Sequence, residues 1–424
     1  VKHTETGAPD LAAPEHISPR PQAQRRVLRV LFLSQILSGA GLAAGITVGG
    51  LLAEQMLGST GLAGLPSALF TAGSALAAVL VGRISQARGR RPGLAAGYLA
   101  GAVGAFGVIA ATVVDSPVLL FASLFVYGSG TATNLQARYC GADLAAPAHR
   151  ARAVSTVLVA TTLGGVLGPN LAAPTGNLAT ALGIPALAGP FLLAGVAYAL
   201  AALVLALWLH PDPLLLAREL HATRPATAPD PAAPLETGKR KPGVVLGALV
   251  MILTQLVMTA IMTMTPVHMA AHGHGTAASG LVIGIHVGAM YLPSPLTGRL
   301  VDRYGHLPVA AASGIALLAA GVVAATVPAD SVALLALALG LLGVGWNLGL
   351  VSGTAIITDA VPLATRAKTQ GMVDVSIAIA GATGGLTSGV VVAATGYSFL
   401  SLTGGVLAMA ILPAIAATAA GKPR

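Results

Sequence analysis

The sequence predicts an all-α, polytopic membrane protein with twelve spanning helices in two homologous six-helix bundles. Three observations predict it: apolar runs of bilayer length, basic residues held to one side, and an internal repeat. Of the 424 residues, 55% are hydrophobic and only 9% are charged, whereas a soluble domain carries about a quarter of its residues as charged side chains. The apolar residues fall in runs of about 20, the length that crosses a bilayer as a helix. Glycine is abundant inside these runs (53 in the chain), as expected where helix backbones approach closely in lipid. Aromatic residues are 4% of the total. That is too few for a base-stacking surface or for the aromatic girdles of a β-barrel, so no nucleic-acid partner is expected.

The runs place helices near 27–53, 62–84, 93–113, 117–141, 153–178 and 186–209, then near 243–270, 277–300, 307–327, 331–358, 366–394 and 398–419. Residues 1–26 are expected to be a disordered arm, 27–209 the first bundle, 210–242 a proline-rich linker with Lys239, Arg240 and Lys241, 243–419 the second bundle, and 420–424 a tail. The net charge of +9 is unevenly spread. The 23 Lys and Arg lie on one side or just inside its boundary, while the opposite loops carry Glu54, Asp115 and Asp330. By the positive-inside rule both termini are cytoplasmic. The single cysteine, Cys140, excludes an internal disulfide.

The repeat has an offset of 216 residues. Gly82-Arg83-Ile84-Ser85-Gln86-Ala87-Arg88-Gly89-Arg90-Arg91-Pro92 follows the second helix, and Gly298-Arg299-Leu300-Val301-Asp302-Arg303-Tyr304-Gly305-His306-Leu307-Pro308 follows the eighth. The same offset carries Asp143 onto Asp359 and Arg150 onto Arg366. Such repeats mark secondary transporters, whose site lies between the halves. This loop resembles the Gly-x-x-x-Asp-Arg-x-Gly-Arg-Arg signature of the major facilitator superfamily. The resemblance implies the major facilitator fold and a latch on the cytoplasmic side formed from Gly82, Gly89, Arg90, Asp143, Arg150, Gly298, Asp302, Arg303, Gly305, Asp359 and Arg366. The first copy departs, with Gln86 and Ala87 where the pattern has Asp and Arg. There is no Gly-x-x-x-x-Gly-Lys-Ser/Thr loop and no intramembrane catalytic set, so a gradient-driven transporter is expected rather than an ATPase or another enzyme.

Six of the nine methionines lie between positions 251 and 290. Met258 and Met262 share one face of helix seven, and His286 and Met290 share one face of helix eight. Counted from the intervening loop, Met262 and His286 lie roughly 13 Å deep and Met258 and Met290 roughly 19 Å deep. Three thioethers and one imidazole at matched depth suit a soft ion, above all Cu(I), and suit magnesium or calcium poorly. A methionine pair alone also serves as core packing, but a histidine inside a span is costly and points to function. The two motifs and their separation resemble those of the CcoA-like (CalT) bacterial copper importers. The resemblance implies copper uptake across the cytoplasmic (inner) membrane of a bacterium, with Met258, Met262, His286 and Met290 as ligands. Copper would then be the substrate rather than a prosthetic group, and cytoplasmic copper chaperones would join the lipid bilayer among the partners of a monomeric chain.

Further polar, sulfur-bearing and charged residues stand out. Met264, His268, Met269, His272 and His274 form either an ion-collecting outer mouth or a solvated loop. Arg138 snorkels to the cytoplasm, while Asp374 pairs or titrates, with proton coupling as one role and a contact to the latch as the other. Asn134, Gln136, Asn347 and Trp346 are expected to face the cavity. Cys140 either receives copper on exit or packs as a small residue. Gly164-Gly165-Val166-Leu167-Gly168-Pro169 resembles the Gly-x-x-x-Gly-Pro motif of proton-coupled drug exporters, which keeps a drug or small-molecule exporter as the alternative function; the same residues also serve helix packing and bending.

Overall fold

Apolar runs flanked by polar punctuation have one stable outcome in lipid, because every backbone group must find its partner within the segment. The computed structural model describes residues 19–57, 65–223, 242–328 and 331–420, and among them every regular element is a helix. The first set comprises α1 (Pro19–Leu57), α2 (Leu65–Arg88), α3 (Arg90–Val113), α4 (Pro117–Ala142), α5 (Arg150–Asn170), α6 (Ala172–Ala181) and α7 (Gly189–Trp208). After α8 (Pro213–Ala222) the second set follows: α9 (Pro242–Ala271), α10 (Thr276–Tyr291), α11 (Ser294–Tyr304), α12 (His306–Thr326), α13 (Val332–Ala360), α14 (Arg366–Thr395), α15 (Tyr397–Ala408) and α16 (Ile411–Ala420). Ten helical segments among the described residues are long and apolar enough to cross a membrane. The expected first and fifth spans correspond to α1 and α5, of 39 and 21 residues.

Local chemistry places the helix ends. Ser116 accepts a hydrogen bond from the Leu119 amide ahead of Pro117, and Ser331 does the same for Leu334, each capping the start of a long span. Gly89 and Gly305 occupy equivalent repeat positions and have φ of 100° and 90°. That conformation strains any side-chain-bearing residue and turns the chain sharply between α2 and α3 and between α11 and α12.

One apolar core runs through the first set, from Val27 and Leu31 of α1 to Leu205 and Leu209 at the end of α7. Another is built mainly from α9, α10, α12 and α13, and Ala142, Ala151, Val154 and Leu158 of the first set join it. Small residues let these helices touch. A Cβ on Gly39 of α1 would lie 2.6 Å from the Thr161 carbonyl oxygen of α5. Contacts between the sets run chiefly along α2 with α14 and along α5 with α11.

Several boundaries differ from expectation. Residues 19–26, expected in a disordered arm, begin α1, and residues 213–222, expected in a flexible linker, form α8. The reason for α8 is an Asp-Pro start hidden among the linker prolines. Asp212 caps the Leu214 and Leu215 amides and also accepts from the Arg91 amide at 2.8 Å, while Arg218 donates to the Gln86 carbonyl. The remaining calls on the arm, linker and tail, at 1–18, 224–241 and 421–424, lie outside the described residues. Spans five, eight and twelve are each divided, near Leu171, Leu292 and Met409. Pro169, Pro174 and Pro293 withhold backbone donors at two of these breaks.

Candidate functional site

His286 is carried on α10, which packs along α13, and its Nδ1 lies 2.9 Å from the Leu339 carbonyl oxygen. A carbonyl only accepts, so Nδ1 carries the hydrogen and Nε2 carries the lone pair. Nε2 is buried and has no hydrogen-bond partner among the described residues. This is the state of a ligating histidine, whose second nitrogen is oriented by a carbonyl. Met258 and Met290 are buried in the same apolar cluster, and Met262 is half-buried against it. Pro266 inside α9 has no amide hydrogen to return to the Met262 carbonyl. The imidazole is oriented by α13, not by the spans seven and eight from which the site was expected. Helices α9 and α10 meet only briefly, while α9 lies mainly along α14 and α13. Sequence adjacency does not fix which helices neighbour in a bundle.

The expected outer-mouth residues divide. His268 stacks on Tyr397, with ring centroids 4.3 Å apart, and lies 4.4 Å from His272, while Met269 is fully buried. Met264 packs against the apolar cluster, and the His274 amide returns to the Met269 carbonyl. Among the described residues no group of three or more His, Cys, Asp or Glu is placed to hold a metal ion. A nitrogen-and-carboxylate cage for a hard cation is therefore absent from them.

At the end carrying the basic loops, the two sets are joined by contacts that obey the repeat. Asp302 accepts from the Ala151 and Arg152 amides at the start of α5, at 3.1 and 3.2 Å. Gln86, 216 positions earlier, accepts from the equivalent amides of Ala367 and Lys368 at the start of α14, at 2.8 and 3.3 Å. The departure from the signature is thus compensated. An amide oxygen takes the carboxylate's place, and its nitrogen adds bonds to the Ala364 and Leu363 carbonyls at 2.6 and 3.3 Å. Gly82 faces Gly371, and Gly298 faces Ser155, again as a symmetric couple. Arg150 pairs with Asp359, and Arg366 lies 3.9 Å from Asp143, which Arg90 also holds at 2.7 Å. Arg303, expected in the latch, lies instead over the Tyr304 ring at the surface.

Deeper in, Arg138 does not snorkel. It is fully buried and pairs with Asp374 at 2.7 Å, joining α4 to α14. Its guanidinium also donates to the Leu135 carbonyl, to Tyr139 Oη at 2.9 Å and to Thr354 Oγ1 at 3.0 Å. The polar side chains expected on a cavity are instead buried between helices. Gln136 donates to the Ala78 carbonyl, Asn134 to Ser38, and Asn347 to the Met290 carbonyl and Ser294. Trp346 is also buried, and its indole donates to Gln255 Oε1 at 2.8 Å, with Tyr291 edge-on to the ring. Cys140 is buried in the first core. Sequence reasoning missed the network of Gln35, Ser38, Tyr98 and Thr161 around Asn134. Its one legible signal was a glutamine inside the first span.

The Major Facilitator Superfamily pattern matches residues 31–348 and 247–423. The MFS-type transporter YdeG of Bacillus subtilis (strain 168) is 56% identical over 92% of this chain and 91% of its own length; YddS of the same organism is 53% identical over 94% and 92%. The riboflavin transporter RfnT of Brucella anthropi is 32% identical over 83% of this chain and 85% of its own. In fold, the proton:xylose symporter XylE superposes with a TM-score of 0.73 at 17% identity, covering 95% of this chain and 97% of that one.

Proposed function

This chain belongs to the Major Facilitator Superfamily, and from that premise we propose that it is a secondary transporter importing copper by alternating access across a bacterial cytoplasmic membrane. The lysine and arginine asymmetry supports an orientation with the basic end in the cytoplasm. The observation that carries copper is His286, a buried imidazole whose Nδ1–H is held by the Leu339 carbonyl and whose Nε2 lone pair is free. Met258, Met262 and Met290 supply thioethers within or against one apolar cluster on α9 and α10, and imidazole with thioether is a soft donor set. The molecule is closed at its basic end, so the ion would enter from the opposite end, pass His286, and leave once the basic-end contacts part.

Copper accumulation in cells, compared between the native chain and His286→Ala at matched expression, tests this reading. Loss of uptake supports it, and native uptake by the variant ends it. A second reading, a planar heteroaromatic cargo, is favoured by the riboflavin transporter at 32% identity and by the Trp346, Tyr291 and Gln255 group. Riboflavin uptake measured in the same cells, with Trp346→Ala as the variant, separates the two.

A further inference from the structure

Helix α9 ends, opposite the basic loops, in a histidine pair that a site at His286 does not use. His268 and His272 are four residues apart, with His272 one residue beyond the last helical position, Ala271, so both leave the same face of the helix end. Their ring centroids are 4.4 Å apart, at an interplanar angle of 53°. Both rings are held in place. His268 stacks on Tyr397 of α15 at 14°, and the Tyr397 hydroxyl is tied to Thr265 Oγ1 at 2.8 Å. His272 Nδ1 lies 2.8 Å from the His268 carbonyl oxygen. A carbonyl only accepts, so Nδ1 carries the hydrogen and Nε2 presents its lone pair. An imidazole oriented through one nitrogen by a carbonyl is the arrangement that metal-binding histidines adopt. His272 is exposed, so this lone pair is open to an ion from solvent.

The donor set is two nitrogens. Met269 is fully buried, and Met264, one turn inward, packs against the apolar cluster, so the nearby sulfurs stay out of it. Among the described residues no third His, Cys, Asp or Glu completes a group with the pair, which leaves the remaining positions to water. Imidazole nitrogens with water oxygens suit Cu(II) or Ni(II) in tetragonal geometry, and Cu(II) binds such a site more tightly. The spacing favours the same choice. With metal–nitrogen bonds of ~2.0 Å and ring centres ~1.1 Å beyond the nitrogens, two imidazoles at right angles about one ion have centres about 4.4 Å apart. The tetrahedral angle that Zn(II) adopts needs about 5.1 Å.

We propose that His268 and His272 form a Cu(II)-binding site at the end of the molecule opposite the basic loops, separate from the buried His286 position. The ion exchanges two of its bound waters for two neutral imidazole nitrogens, His272 contributing Nε2, and no electron moves. Both histidines and the supporting Tyr397 belong to the second half, so binding asks for no movement between the halves. The site goes beyond the copper-import reading, since it holds whichever cargo passes His286. Where copper is the cargo, the pair collects the ion at the mouth of the pathway.

Cu(II) buffered with glycine is titrated into the whole chain, free of any affinity tag, in detergent, and read by electron paramagnetic resonance. The expected spectrum contains a Cu(II) species with two coordinated imidazole nitrogens. His268→Ala and His272→Ala should each remove that species and weaken the binding by about 100-fold or more, because the second imidazole otherwise binds intramolecularly. His268→Phe keeps a ring on Tyr397 without its nitrogens and should fail in the same way, which separates ligation from packing. Zn(II) at equal concentration should not displace the ion. Alanine variants that keep the two-nitrogen species overturn the proposal, as does a His268→Phe protein that binds like the native chain. Displacement by Zn(II) overturns the choice of copper. Native copper uptake by His286→Ala would instead strike the import reading and leave this site standing.

Discussion

Replacing Gly82 with valine should prevent the protein from closing at its basic end. A Cβ at this position would lie 2.9 Å from the Ala367 carbonyl oxygen and 3.1 Å from Gly371 Cα. Both neighbours are backbone atoms of α14, so no side chain can rotate away and the helices themselves must separate. Overpacking of this kind costs about 1–3 kcal/mol. The cost falls on the state in which α2 and α14 touch, and a state in which these helices part escapes it. At ~1.4 kcal/mol per tenfold, the closed population should drop roughly 5- to 150-fold relative to the open one. Gly298→Val should act the same way on α5 and α11, since its Cβ would meet the Ala151 carbonyl oxygen at 2.8 Å. The assay is the distance between spin labels at the exposed positions of Ala87→Cys and Tyr304→Cys, one in each half, in a Cys140→Ala background in liposomes. A distribution in Gly82→Val identical to the native one would refute the account of the latch as close backbone contact.

Other consequences follow from single contacts. Arg138→Gln should destabilise the protein in detergent by about 3–5 kcal/mol by leaving Asp374 uncompensated, and adding Asp374→Asn should recover most of the loss; thermal unfolding of the single and double variants checks this. His286→Ala should abolish copper uptake, whereas Met262→Leu should reduce it less because other thioethers remain; uptake at matched expression reads both. Gln35→Leu removes the acceptor of the Tyr98 hydroxyl at 2.5 Å and the side-chain donor to the Asn134 carbonyl at 3.1 Å, leaving Tyr98 with Ser38 Oγ at 3.0 Å. At about 0.5–1.5 kcal/mol per lost hydrogen bond, its melting temperature should fall below that of the half-buried control Ser376→Ala. Asp212→Ala removes the cap of α8 and its bond to the Arg91 amide, and protease sensitivity near residue 220 should rise.

The fold class was legible in one dimension because lipid leaves the backbone so little choice. Apolar runs of spanning length, basic loops on alternate turns and a 216-residue repeat each constrain the chain locally, and the family follows from the loop after the second span. The latch was half legible: the repeat announced that Asp302 and Gln86 are equivalent. It did not disclose that both cap the first amides of the opposing half, which turns an apparent defect at Gln86 into a working contact. Arg138 and Asp374 read as separate charges with separate escapes, since nothing local links positions 236 residues apart.

The candidate site shows the same division. Spacing placed Met258 with Met262 and His286 with Met290 on common helix faces, a matter of helical geometry alone. Which helix stands beside His286 was decided by packing, and the answer is α13, whose Leu339 carbonyl sets the imidazole's free nitrogen. Asn134, Gln136 and Asn347 were given to a cavity because polar groups inside a span are costly, yet the same cost is met by bonds to Ser38, Ala78 and Met290 between helices. A sequence states which groups need partners; only the three-dimensional packing of the helices determines which partners they find.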